Sequence, residues 1–297
     1  MKKLIANTVA DLLQPAMFTK YAISFLLIAV TCFVNYYTGF SFWLRQVTFS
    51  HALVWYSLLF FFFFTAGFLV QNGNGLLQKR QVQFILITAS ILFALKVALP
   101  FHKLLPVYIG SNYQKAFQQP MNWIGGLLLM LPLLLLIHWL LEKKWNLYGI
   151  KQTQSLKTYV LLIAFMLPLL VWASLQNDFS TVYPKAAIIG RQLGDDANPL
   201  HYLLFEVAYA ADFFTIEFFF RGFLIIALSK LMGRQCILPV ALFYFSIHLG
   251  KPMMEAVSSF FGGLILGSIA YNSKSIWGGL LVHISIALLM ELLGFIF

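Results

Sequence analysis

Apolar residues run in long unbroken blocks along this chain. They do not alternate, and they do not recur as a stripe on one helix face. A helix needs about 20 apolar residues to cross a bilayer. Blocks of that order lie near 21–40, 52–70, 83–100, 123–141 and 158–175. A longer one covers 202–231, and tighter ones follow near 236–249, 254–271 and 276–297. The pattern predicts an all-α fold, a polytopic membrane helix bundle of eight or nine transmembrane helices. The count turns on 236–249, which is short and runs into Gly250-Lys251-Pro252, as a helix does when it stops inside a protein.

Composition agrees. The chain is 61% hydrophobic, 17% aromatic and 10% charged, with mean hydropathy +0.83, against about 25% charged in a soluble domain. Met1-Lys2-Lys3 leads into a polar, mixed stretch and not into a signal-peptide core, so the first apolar block is expected to serve as its own insertion signal. The net charge of +10 fits loops that face anionic headgroups, which makes the lipid bilayer the expected partner. No basic patch with interleaved, solvent-facing aromatics points to nucleic acid. With a cytoplasmic N-terminus, Lys2, Lys3, Lys20, Lys79, Arg80, Lys143, Lys144, Lys151, Lys157, Lys230, Arg234 and Lys274 share one side. They outnumber Arg45, Lys103, Lys115, Lys185, Arg191 and Lys251 on the other, which favours that orientation. Cys32 and Cys236 form no metal-ligand spacing and are expected to be buried or interfacial thiols.

The chain divides by character. Residues 1–200 hold about five membrane helices with few embedded polar groups. They include an interfacial helix or loose tail at 1–19 and a long extramembrane loop at 176–200. The run Phe60–Phe64 reads as membrane filling. Residues 201–297 hold nearly all the embedded polar groups: Glu206, Asp212, Glu217, Glu255 and Glu291, with Arg221, His248 and His283 among them. An ionisable group at membrane depth is costly and marks a functional site by default.

Read as one α-helix, Ala208–Leu228 puts Glu217 and Arg221 four residues apart on one face, with Glu206 three turns upstream on the same side. His248 ends an apolar helix, and Glu255 opens the next after the Gly-Lys-Pro break, where its charge also suits the helix dipole. Gly263 and Gly267 are spaced to let another helix approach closely. His283 sits near the middle of the last helix.

In order and spacing these residues resemble the CPBP family, which includes the type II CAAX prenyl endopeptidases and the Abi-type bacterial membrane proteins. The family pattern is Glu-Glu-x-x-x-Arg, then Phe-x-x-x-His, then His-x-x-x-Asn or His-x-x-x-Asp. Here the motifs read Ile216-Glu217-Phe218-Phe219-Phe220-Arg221, Tyr244-Phe245-Ser246-Ile247-His248 and His283-Ile284-Ser285-Ile286-Ala287. The resemblance covers about 206–297. It implies a membrane-embedded endopeptidase that cleaves a peptide or membrane-protein substrate with a carboxylate- and histidine-activated water, without a metal or other cofactor. The candidate catalytic residues are Glu217, Arg221, His248, Glu255 and His283. Ile216 replaces the first Glu of the pair and Ala287 the final Asn. Two outcomes stay open: a rebuilt site with Glu217 or Glu255 as base, or a non-catalytic scaffold or immunity protein. A transporter with Glu206, Asp212, Glu217 and Glu291 as a relay is a further alternative, although no inverted repeat supports it. A compact, all-membrane chain of this kind is expected in a bacterial inner membrane.

Overall fold

The computed structural model describes residues 8–10, 12–106, 109–142, 149–150 and 156–297. Part of the tail expected at 1–19 lies outside the described residues. So do Lys2, Lys3, Lys143, Lys144 and Lys151, and the side chains of Lys157 and Asp178.

Every regular element among the described residues is helical. The long helices are α1 (Pro15–Thr38), α2 (Phe49–Val70), α3 (Arg80–Ala98), α4 (Gln118–Glu142), α5 (Leu156–Ser174) and α6 (Pro199–Glu217). A π-helix, Phe218–Ile226, follows α6 directly, and then α7 (Ala227–Met232), α8 (Ile237–Ser246), α9 (Met253–Ser273) and α10 (Trp277–Ile296). Six of these are long and apolar enough to cross a membrane: α1, α2, α3, α4, α9 and α10. The chain is an integral, multi-pass membrane protein. Among the described residues, length and apolarity give these six of the expected eight or nine spans. Among the described residues, 202–231 changes helix type midway and α8 has only ten residues.

The chain forms two compact units. The first comprises residues 1–98, 146–154 and 218–277; the second comprises 99–145, 155–217 and 278–297. In the first unit the core is aromatic. The Phe60–Phe64 run, expected as plain filling, divides by helical periodicity. Phe60, Phe63 and Phe64 are buried, while Phe61 and Phe62 face outward. Phe60 and Phe64 meet Phe243 of α8 at ring distances of 5.4 and 5.2 Å, and Phe63 meets Phe245 at 5.4 Å. Such ring pairs contribute about 0.5–1.5 kcal/mol each beyond their burial.

Three glycines let the backbones come this close. A methyl group at Gly67 would overlap the Cα of Pro239, so α2 and α8 touch there backbone to backbone. Gly263 faces Ala241 and Gly267 faces Ile237 and Ile225, the close approach their spacing predicts. Gly67→Val is expected to lower stability by about 1–3 kcal/mol through overpacking, read as a lower thermal midpoint in detergent. An unchanged midpoint would show that α2 and α8 slide apart at no cost.

Cys236 is buried in the same unit. Both cysteines are buried and free, as their sequence context predicts.

In the second unit, the stretch 176–200, expected as a long extramembrane loop, carries regular structure of its own. It contains the short helices Asn177–Ser180 and Ala187–Leu193, and Ala186, Ile189 and Leu193 are buried with Phe205 and Ala116. Glu291 of α10 fixes this segment. Its two carboxylate oxygens accept hydrogen bonds from the backbone N–H groups of Lys185 and Ala186, each at 3.0 Å. Lys185 Nζ in turn donates to Tyr209 Oη at 2.6 Å. Bonded to two backbone amides, Glu291 has a structural explanation that a relay site would not need.

Candidate functional site

Within the second unit, α6 carries Glu217 as its last residue and α10 carries His283. Glu217 is 0% exposed, and its Oε1 lies 2.7 Å from His283 Nδ1. A buried carboxylate needs such a partner, because burial without one costs several kcal/mol in practice (roughly the scale of an unpaired ion). The imidazole is partly accessible and is backed by Phe213, whose ring centre is 5.3 Å away.

Glycines make this seat possible. Gly279 stands one turn before His283 on the same helix face. A methyl group on it would overlap Glu217 Oε2. At the neighbouring Gly278 a methyl group would overlap the buried ring of Tyr159. Gly279 lies outside the three motifs, and its signal in the sequence is a small residue one helical turn from a candidate histidine.

Within the first unit, the structure departs from the regular helix predicted over Ala208–Leu228. The backbone takes π geometry from Phe218, and all nine residues of that segment are buried. Such segments are uncommon and recur at functional sites. The wider turn delivers Phe219 and Phe220 to the aromatic core, with ring distances of 5.8 and 5.2 Å to Phe243. The i, i+4 spacing that predicted a shared face for Glu217 and Arg221 therefore assumes a helix type that ends between them. Buried Arg221 places its guanidinium 4.4 Å over the ring of Tyr244, a geometry worth about 2 kcal/mol when desolvated.

Tyr244 also holds His248. The two rings are 4.6 Å apart, and His248 Nδ1 lies 2.9 Å from the Tyr244 carbonyl oxygen. A carbonyl only accepts, so Nδ1 carries the proton and Nε2 presents its lone pair. The first and second motifs thus meet at Tyr244, which stands where the family pattern has Phe.

Glu255 lies in the first turn of α9 and pairs with Lys251, Oε1 to Nζ at 2.8 Å. Of the residues expected at motif positions, Ile216 is half-buried and Ala287 is buried. Among the described residues no group of three or more His, Cys, Asp or Glu side chains is arranged to hold a metal ion.

A family model, Type II CAAX prenyl endopeptidase Rce1-like, matches residues 198–289. No curated protein and no solved structure matches the chain. The match begins just before α6 and ends within α10, so it takes in Glu217, Arg221, His248 and His283 and excludes the first five long helices. Residues 198–289 of this longer membrane chain are therefore similar to the Rce1-like type II CAAX prenyl endopeptidases.

Proposed function

We propose that the protein is a membrane-embedded endopeptidase of the CAAX-protease type, acting on a peptide or on another membrane protein. The observation that carries this is the enclosed Glu217 carboxylate, bonded at 2.7 Å to His283 Nδ1. With Glu217 ionised, Nδ1 donates to it, and His283 Nε2 is left as a lone pair able to take a proton from water. Glu217 fixes the tautomer and balances the imidazolium that forms.

In the reaction so assigned, the water oxygen forms a bond to the scissile carbonyl carbon as its proton passes to His283 Nε2. The C–N bond then breaks, and that proton leaves with the amine. From their motif positions we also assign His248 and Arg221 to the reaction; within their own unit the Nδ1 contact to the Tyr244 carbonyl directs His248 Nε2, and Arg221 lies over the Tyr244 ring. Glu217 takes the role of the carboxylate in this scheme. Glu255, engaged by Lys251, serves the start of α9, and Glu255→Gln is expected to keep wild-type cleavage.

The membrane assigned is a bacterial inner membrane with the N-terminus in the cytoplasm. The test is the purified chain in nanodiscs, incubated with a farnesylated C-terminal CAAX peptide and with unmodified apolar peptides, and read by mass spectrometry. Cleavage of either class that is lost in His283→Ala supports the proposal. A second reading, a non-catalytic scaffold or immunity protein, draws on Ile216 and on Ala287, which puts a buried methyl group at the motif's amide position. Intact peptides across the whole panel would favour it.

A further inference from the structure

We propose that Asn35, Tyr36 and Arg45 are positioning residues for His248. This rests on the role given to His248 above. All three lie far outside the stretch 198–289 that matches the family model.

A helix leaves its last carbonyls without partners inside the helix. Beyond α8 the chain breaks at Leu249-Gly250-Lys251-Pro252, and each carbonyl before the proline is taken by a side chain from the N-terminal region. Asn35 Nδ2 donates to Leu249 O at 2.8 Å. Arg45 donates through Nη2 to Gly250 O. Tyr36 Oη donates to Lys251 O at 2.5 Å.

The donors are themselves fixed. Asn35 is buried at 1% exposure, and its Oδ1 accepts from the Ser41 N–H at 3.0 Å, so the amide is held at both ends. Gly250 has no side chain where one would overlap the Arg45 guanidinium. The break is tied back to the histidine, since the Lys251 N–H donates to His248 O and the His248 N–H donates to Phe245 O, both at 2.9 Å. Three consecutive carbonyls with three dedicated donors make a collar. Ordinary packing of two helices needs no such arrangement. Its effect is to hold the backbone of His248 rigid, so that the Nδ1 contact to Tyr244 sets where Nε2 points.

The experiment uses the full chain in nanodiscs with Asn35→Ala, Arg45→Ala and Tyr36→Phe, the last removing only a hydroxyl. Amide exchange over 248–252 and the ¹⁵N signals of His248, assigned by their loss in His248→Gln, report the collar without any substrate. Exchange at Lys251 is expected to rise about tenfold for each bond removed, with α2 and α3 unchanged as the check that the fold survives. The His248 signals are expected to broaden, and Arg45→Lys is expected to restore them in part. With a cleaved peptide in hand, kcat is expected to fall while KM stays fixed.

Unchanged exchange and unchanged His248 signals overturn the collar. A loosened break with unchanged kcat overturns the positioning role. If the wild-type chain cleaves no peptide, the proposed activity fails by itself, and the exchange and histidine signals still decide whether the collar holds His248.

Discussion

Glu217→Gln is expected to lower kcat for peptide cleavage by about 10²–10⁴-fold and to leave KM nearly unchanged. The carboxamide matches the carboxylate in size, so it fills the same closed space beside Gly279 without repacking. It lacks the negative charge that balances the imidazolium formed when His283 takes a proton. That charge matters in the transition state more than in the bound ground state, which is why the loss appears in kcat. His283→Ala should cost a similar factor, and the double variant no more than the worse single, because the pair works as one unit. Unchanged thermal midpoints in detergent would separate this loss from misfolding. If Glu217→Gln cleaves within about twofold of wild type, well inside what a base contributes, the dyad is structural and the scaffold reading takes its place.

Much of this architecture could be read along the chain, and particular residues show where that stopped. Block hydrophobicity located α1–α4, α9 and α10, because a spanning helix must satisfy its backbone internally and needs a fixed length of apolar chain to do so. The same rule says nothing of the structure within 176–200. Its polar residues look like solvated loop, yet Ile189 is fully buried and Glu291, more than a hundred residues away, accepts from its amides. Periodicity also assumed a single helix type. It joined Glu217 to Arg221 at four residues' spacing and had no means of seeing π geometry begin at Phe218. Motif order picked out His283 and Glu217 without showing that they bond to each other, since that contact depends on how α6 and α10 pack. The Asn35, Tyr36 and Arg45 collar was less legible still. A Lys or Arg near a helix end ordinarily counts toward orientation, and Arg45 was read that way, yet its described bond goes to the Gly250 carbonyl.

Gly279→Ala should be nearly as damaging as removal of the carboxylate, for the opposite reason. In a helix interior alanine is favoured over glycine by about 1 kcal/mol, so α10 itself should form at least as readily. The added methyl group, however, overlaps Glu217 Oε2. The carboxylate has no open space to retreat into, being 0% exposed, so it must turn about its own side-chain bonds and pull Oε1 away from His283 Nδ1. Misplacement by about 1 Å costs on the order of 10²-fold in rate, and kcat should fall by that factor with the thermal midpoint unchanged or raised. The decisive variant is the double, Gly279→Ala with Glu217→Asp. Aspartate is shorter by one methylene and gives back the space the methyl group takes. It should recover part of the rate lost in Gly279→Ala, although Glu217→Asp alone is impaired. A purely structural role for Gly279 would give additive losses in the double variant. Additive losses would leave the 2.7 Å contact as ordinary helix packing, and recovery would identify a glycine outside the three motifs as the residue that sets the distance between the base and its carboxylate.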